Sequence, residues 1–217
     1  DDYAKVKYIY DYIIKNTDYV SGAADSQNIC SVFINRQSVC QGYTLATKYL
    51  LDKLGIFCTV VNGTANGENH AWNLVKMDGV YCYVDTTWGD ASYRSVNDGS
   101  VFNRTNYSYL GADWDVIKTT HVINSMISLP DCTSLDEYYF VREGKYFDNV
   151  DLDALKAVFD SAYAAGEETL TIKCSDAAVY SGYKTELFDN QKIFKMIHGD
   201  NAKYVTDEDE FTISFSL

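Results

Sequence analysis

Asp78-Gly79 narrows more than any other pair of residues what this chain can become. It separates two runs that read as a pair of strands, His70–Met77 and Val80–Thr86. Asp-Gly between two such runs is a strong signal for a two-residue β-hairpin turn. A two-residue turn fixes the pairing register, with Met77 opposite Val80, Trp72 opposite Asp85 and His70 opposite Thr87. Paired residues share a face, and faces alternate along each strand. His70, Trp72 and Leu74 are therefore expected on one face with Tyr83, Asp85 and Thr87. Asp85 becomes the diagonal neighbour of His70, roughly 7–8 Å away between backbones and within side-chain reach. A slip of one residue would put the two on opposite sides.

A third reactive group precedes this hairpin. Cys40 opens a run in which Tyr43, Ala46/Thr47, Leu50/Leu51 and Leu54 make an apolar helical stripe, closed by Gly55 as a C-terminal cap. A cysteine at a helix N-terminus feels the helix dipole and the unsatisfied backbone N–H groups, which favour thiolate. A nearby imidazolium strengthens that effect and supplies a general acid for a leaving amine. A carboxylate behind the imidazole fixes its tautomer and orientation. Thiol, imidazole and carboxylate thus fit acyl transfer through a thioester, with the N–H of Cys40 among the donors for an oxyanion. Taken singly, each residue has a plainer reading: a buried small thiol, a structural histidine, a strand-ending aspartate.

The rest of the chain frames this core. Residues 3–15 carry apolar side chains at helical spacing behind Asp1 and Asp2. Residues 20–39 are polar, with a turn at Ser21-Gly22 and a short helix over Ser31–Asn35. Phe57–Val61 reads as a strand and Asn62–Asn69 as a loop. Residues 88–108, rich in Gly, Asp, Asn and Ser, read as a long surface loop, with sequon matches at Asn103 and Asn106 that carry little weight. A strand over 107–110 and a short helix over 112–122 lead to Pro130, the only proline. Beyond it the pattern becomes ββαβαβ: a hairpin around Glu143-Gly144, a helix over Leu152–Ala165, a strand over Leu170–Cys174, a helix over 183–198 and a final strand over Phe211–Phe215. The expected organisation is a core over 1–130 and a C-terminal α+β extension over 131–217.

Bulk properties exclude several function classes. A net charge of −13 argues against nucleic acid or anionic lipid as partner, since both reward clustered Lys/Arg. No apolar run approaches the eighteen or so residues of a membrane helix, so no membrane insertion is expected. The six cysteines include no C-x-x-C pair, which speaks against a metal cluster or a redox dithiol; no cofactor is expected. The start at Asp1-Asp2-Tyr3, without Met or a signal pattern, leads us to expect a trimmed chain whose targeting segment has been removed. Cys82, opposite Val75 on the other hairpin face, is expected to be a buried thiol. His121 and His198 lack a supporting constellation and are expected at the surface. Trp72 and Trp88 flank the site, where a groove wall and core packing both fit.

Together these residues resemble the transglutaminase-like superfamily. The likeness runs from Val39-Cys40-Gln41-Gly42-Tyr43 through Leu50-Leu51-Asp52-Lys53-Leu54-Gly55-Ile56 and His70-Ala71-Trp72-Asn73 to Val84-Asp85-Thr86-Thr87-Trp88. It covers roughly residues 3–125 and most resembles the bacterial, secreted or surface-associated branch. It implies an α+β fold: a papain/transglutaminase-like core whose antiparallel sheet packs on a helix starting at the catalytic cysteine. It would make Cys40 the nucleophile, His70 the base and acid, and Asp85 the orienting carboxylate. Gln41, Tyr43, Trp72 and Trp88 would then line the substrate site. The implied partner is a peptide or protein substrate, cell-wall peptide among them, met outside the cell or at its surface. Departures are small: the family often has a bulky aromatic at the position of Cys82 and Asp at that of Gly89. The family includes cross-linkers, peptidases, amidases and inactive binding domains. Hydrolysis of a peptide or amide is the favoured expectation, ahead of protein cross-linking or a non-catalytic surface-binding role.

Overall fold

The computed structural model describes residues 1–94 and 101–217, and it divides into two compact units, Asp1–Tyr139 and Phe140–Leu217. The first opens with α1 (Asp2–Asn16), capped by the Asp1 carboxylate on the Ala4 N–H. Its buried stripe is Tyr3, Val6, Ile9, Tyr10, Ile13 and Ile14, the expected face of an amphipathic helix. Short parallel strands β1 (Asp18–Tyr19) and β2 (Gln37–Ser38) clamp the polar segment between them. That clamp delivers the chain to α2 (Cys40–Lys53), which begins at the cysteine.

A five-stranded antiparallel sheet follows, built from β3 (Cys58–Ala65), β4 (Glu68–Met77), β5 (Val80–Val84), β8 (Leu110–Ala112) and β9 (His121–Ile123), in the order β8-β5-β4-β3-β9. The hairpin register is the one required by the Asp78-Gly79 turn: Met77 pairs with Val80, and Asn73 with Val84. Both turn residues have positive φ, 45° and 97°, the geometry Asp-Gly supplies for a two-residue hairpin. Pairing stops at Val84, so Asp85 and Thr87 are not ladder residues. Instead Asp85 caps a single-turn helix, α3 (Thr86–Gly89). Val61, Trp72, Leu74 and Tyr83 bury one sheet face together with Ile117 and Cys132. Val75 and Cys82, paired with each other, fall on the opposite face and are fully buried.

Several expected elements are corrected. The presumed loop 88–108 contains a strand pair, β6 (Asp90–Arg94) with β7 (Val101–Thr105); its middle, 95–100, lies outside the described residues. The helix expected over 112–122 is only α4 (Trp114–Ile117), and β9 occupies its last residues. The boundary expected at 130 also moves, because residues 131–139 are tied to the first unit. The Trp114 N–H donates to the Cys132 carbonyl at 2.8 Å, and the Gly111 backbone lies against that of Glu137.

The chain enters the second unit within α5 (Tyr139–Arg142), where a hairpin strand was expected. The unit comprises β10 (Tyr146–Phe147), α6 (Leu152–Ala165), β11 (Thr169–Cys174), α7 (Ala177–Lys184), β12 (Lys203–Asp207) and β13 (Thr212–Ser216). Its sheet has the order β10-β11-β13-β12. Asp151 caps α6 and Gly166, at φ 70°, closes it, as the sequence signals require. The helix expected over 183–198 breaks into short turns after Lys184, and Gln191 adopts a left-handed conformation. Among the described residues no helix is long and apolar enough to cross a membrane.

Candidate active site

Cys40 is the first residue of α2, following an extended Val39 that offers no side-chain cap. The first N–H groups of the helix have no carbonyl four residues back and face the cysteine's surroundings. Gly42 shows why the run Cys-Gln-Gly-Tyr needs a glycine. A Cβ there would stand 2.0 Å from the Ser38 hydroxyl oxygen and 2.8 Å from the Ser26 carbonyl. The helix start is thus pressed directly onto the segment that precedes it.

Three polar contacts pin α2 to β4 and to α3. The Thr44 hydroxyl donates to the Ala71 carbonyl at 2.7 Å, and the Asn73 amide donates to the Thr44 carbonyl at 3.2 Å. Thr47 and Thr86 share a hydroxyl–hydroxyl bond of 3.0 Å. All four side chains are buried, where an unmade bond would cost about 1–3 kcal/mol. They lock the cysteine-bearing helix beside the strand that carries His70.

His70 Nε2 lies 2.6 Å from Asp85 Oδ2. Oδ1 of the same carboxylate accepts from the Thr87 and Trp88 N–H groups at 2.9 and 3.1 Å. Burial alone would push Asp85 up, but His70 and the hydrogen bonds it receives hold it well below the usual carboxylate range. For His70 burial again opposes the charged form. The Asp85 charge and hydrogen bond, with the Cys40 thiol on its other side, outweigh burial and raise the imidazole to about 9. Burial likewise lifts the Cys40 thiol, yet the hydrogen bond and charge of His70 and backbone bonds from Ala71 and Gln41 bring it below the ordinary thiol value. Cys58 and Cys174, without such a partner, are each pushed up by burial to about 12. The three groups therefore stand in hydrogen-bonded series, Cys40–His70–Asp85, and they favour a thiolate–imidazolium pair.

A cleft of about 430 Å³ opens over Cys40 and His70, lined also by Gln27, Gln41, Asn62, Asn69 and Asn124. Gln41 is among the lining residues. Tyr43 and Trp72 do not line this cleft: both are fully buried. Tyr43 donates to Asp90 at 2.6 Å and to the Thr17 carbonyl at 2.9 Å, bracing α2 from within. Trp72 sits in the sheet core. Trp88 covers the two histidines rather than the cleft, with ring centroids 6.1 Å from His70 and 4.8 Å from His121.

His121, expected at the surface, is completely buried and places Nε2 3.1 Å from the same Asp85 Oδ2. β9 carries it there by pairing His121 with Ala65 at the far edge of the sheet. One signal could have found it: Thr119-Thr120-His121-Val122-Ile123 is a β-branched run, which favours strand over helix. One nitrogen of each of His70 and His121 and one Asp85 carboxylate oxygen lie within 4.8 Å of one another. The separations of 2.6 and 3.1 Å from the carboxylate oxygen are those of N–H···O bonds. We read the three groups as one hydrogen-bonded set.

The family model of the transglutaminase-like superfamily matches residues 1–86, a segment that holds Cys40, His70 and Asp85. Solved structures similar to this chain include a candidate cysteine protease from Cytophaga hutchinsonii, 28% identical over 39% of this chain and 31% of its own, with a TM-score of 0.36. A TGase is 24% identical over 43% of this chain and 29% of its own, with a TM-score of 0.35. The chain thus spans about a third of the length of these structures. No curated protein matches it.

Gly89, where the family often carries Asp, has a local cause. A Cβ at this position would meet the Tyr10 hydroxyl at 2.1 Å. That hydroxyl donates to the Asn106 carbonyl at 2.6 Å and ties the end of the β6–β7 excursion to α1.

Proposed function

We propose that the protein is a cysteine-dependent acyl-transfer enzyme acting on peptide or amide bonds, with water as the preferred acceptor. The observation that carries this reading is the Cys40 thiol, held below its ordinary range by an imidazole that is itself anchored on buried Asp85. In this scheme the Cys40 thiolate attacks the carbonyl carbon and a tetrahedral oxyanion forms beside the N-terminal N–H groups of α2. The C–N bond breaks as His70 passes its proton to the departing amine, leaving a thioester on Cys40. His70, now neutral, takes a proton from water as the water attacks, and the acid product leaves with the thiol restored.

Hydrolysis is favoured over cross-linking by the lining of the cleft. Beside Cys40 and His70 its polar side chains are carboxamides, with no carboxylate among the lining residues to attract a cationic amine acceptor. Incubation with a glutamine-containing peptide and a labelled primary amine tests both levels of the reading. Release of free acid faster than amine incorporation, lost in Cys40→Ala, is the expected result. Amine incorporation outpacing acid release overturns the preference for water. Turnover that survives Cys40→Ala overturns the mechanism.

A further inference from the structure

We propose that His121 is a positioning residue for this site: it binds the same carboxylate oxygen as His70 and, by sharing that oxygen, sets how firmly Asp85 holds the His70 imidazolium. The inference rests on reading Cys40, His70 and Asp85 as acyl-transfer machinery.

The geometry leaves the carboxylate no freedom. Oδ1 is committed to the Thr87 and Trp88 N–H groups, so rotation of the carboxyl group would break two bonds at once. Oδ2 therefore has a fixed position with two donors on it, His70 at 2.6 Å and His121 at 3.1 Å. The His121 ring is held equally firmly. Its Nδ1 lies 2.8 Å from the Thr120 hydroxyl, and its backbone is set by the ladder to β3. Trp88, Trp72 and Tyr109 enclose it at centroid distances of 4.8, 4.9 and 5.7 Å. With no exposed surface, neither nitrogen can turn to water, and both are matched to protein partners.

Such a donor does more than fill space. A buried carboxylate with one imidazole as its sole charged partner would hold that proton tightly, and a tightly held proton is slow to reach a leaving amine. A second donor on the same oxygen spreads the negative charge. Cys40 and Asp85 are the other titratable groups facing His70. Burial and then the Asp85 charge raise the Tyr10 hydroxyl, which keeps it neutral, and the Tyr109 ring faces His121. Removing the His121 donor concentrates the Asp85 charge on His70 and raises its proton affinity. The sign is the same whether His121 is neutral or charged, because either form donates from Nε2.

The chain has three histidines, so ¹⁵N-histidine labelling gives a spectrum in which each imidazole can be followed with pH. His121→Phe keeps a ring in the aromatic enclosure without a donor, and His121→Gln keeps an N–H near the lost Nε2. The His70 midpoint is expected to rise by about one pH unit in His121→Phe and to return most of the way in His121→Gln. Thr120→Val keeps the imidazole but loosens its tautomer, and should give a smaller rise. It carries the test if His121→Phe does not fold. An unmoved His70 midpoint in whichever of these variants folds, or a Gln variant no different from Phe, overturns the positioning role. Iodoacetamide labelling of the wild-type protein separates this failure from a deeper one. If Cys40 reacts no faster at neutral pH than exposed Cys30, the acyl-transfer reading itself has failed; a fast Cys40 beside an unmoved His70 sinks only the role of His121.

Discussion

The interiors of the two compact units differ in kind. The unit of residues 1–139 buries Asp85, His121, Asn73, Thr44 and Thr47, all joined by hydrogen bonds into the scaffold of the site. The unit of residues 140–217 is filled by Phe147, Leu155, Phe159, Leu170, Ile172, Tyr183, Leu187, Ile213 and Phe215. Its two buried lysines lie at the rim of this core, where Lys145 meets Glu167 at 3.0 Å and Lys173 bonds the Glu210 carbonyl. An apolar interior supports stability alone, since every buried group gains by leaving water. A polar interior is costly unless each group is satisfied, and here the satisfied groups are those that align the thiol with its base. The contrast predicts that substitutions in the buried polar set around Asp85 act on chemistry and those in the apolar core of residues 140–217 on folding.

The widest separation should come from Cys40→Ala. Loss of the nucleophile is expected to lower any acyl-transfer rate by roughly four orders of magnitude. The unfolding free energy should change by less than about 1 kcal/mol, so kinetics and chemical denaturation on one preparation check both halves. Phe159→Ala is the mirror experiment. Phe159 is fully buried and packs on Phe215 at 4.9 Å, and its truncation should cost about 3–5 kcal/mol. Below the melting transition, Cys40 alkylation should keep its wild-type rate. A slower rate would break the contrast by coupling the second core to the site.

Acidity sharpens it further. His70 is raised from 6.5 to about 9, so its contribution is complete below about 6.5 and is lost as pH rises through 9. Asp85 is held below the carboxylate range, so its contribution is present above about 4 and is lost as pH falls through its folded value. The pair therefore stabilises most between about pH 4 and 6.5, by on the order of 3 kcal/mol counted once. Denaturation of wild type against His70→Asn across pH 5–10 should show this slope vanish in the variant.

The smallest effect concerns the hairpin turn. Asp78 accepts from the Asp2 and Tyr3 N–H groups at 3.0 and 3.2 Å, so it joins the turn to the start of α1. Asp78→Ala should cost about 1 kcal/mol, measured by urea denaturation, with the hairpin register and Cys40 labelling unchanged.

What was legible in the sequence follows from how local the determinants are. The β4–β5 register is written in two adjacent residues, and it brought His70 and Asp85 together although Asp85 turned out to cap α3 rather than extend the strand. Cys40 at a helix start follows from the apolar stripe behind it. His121 was missed because β9 reaches the sheet by pairing with the distant β3, without a tight turn to announce the register. The pairing of β6 with β7 was hidden in the same way, by a polar composition that resembles a loop. Tyr43 and Trp72 show a different limit: aromatic residues beside a reactive group read equally well as groove or core, and only packing decides between them.

The central claim is that Cys40 differs from the other thiols because of His70 behind it. Mass-spectrometric mapping of iodoacetamide labelling at pH 6 tests it directly, with exposed Cys30 as the internal reference. Cys40 should label about tenfold or more faster than Cys30, and His70→Ala should erase that advantage. Equal labelling of the two thiols in the wild-type protein, or an advantage that persists without His70, would contradict the account.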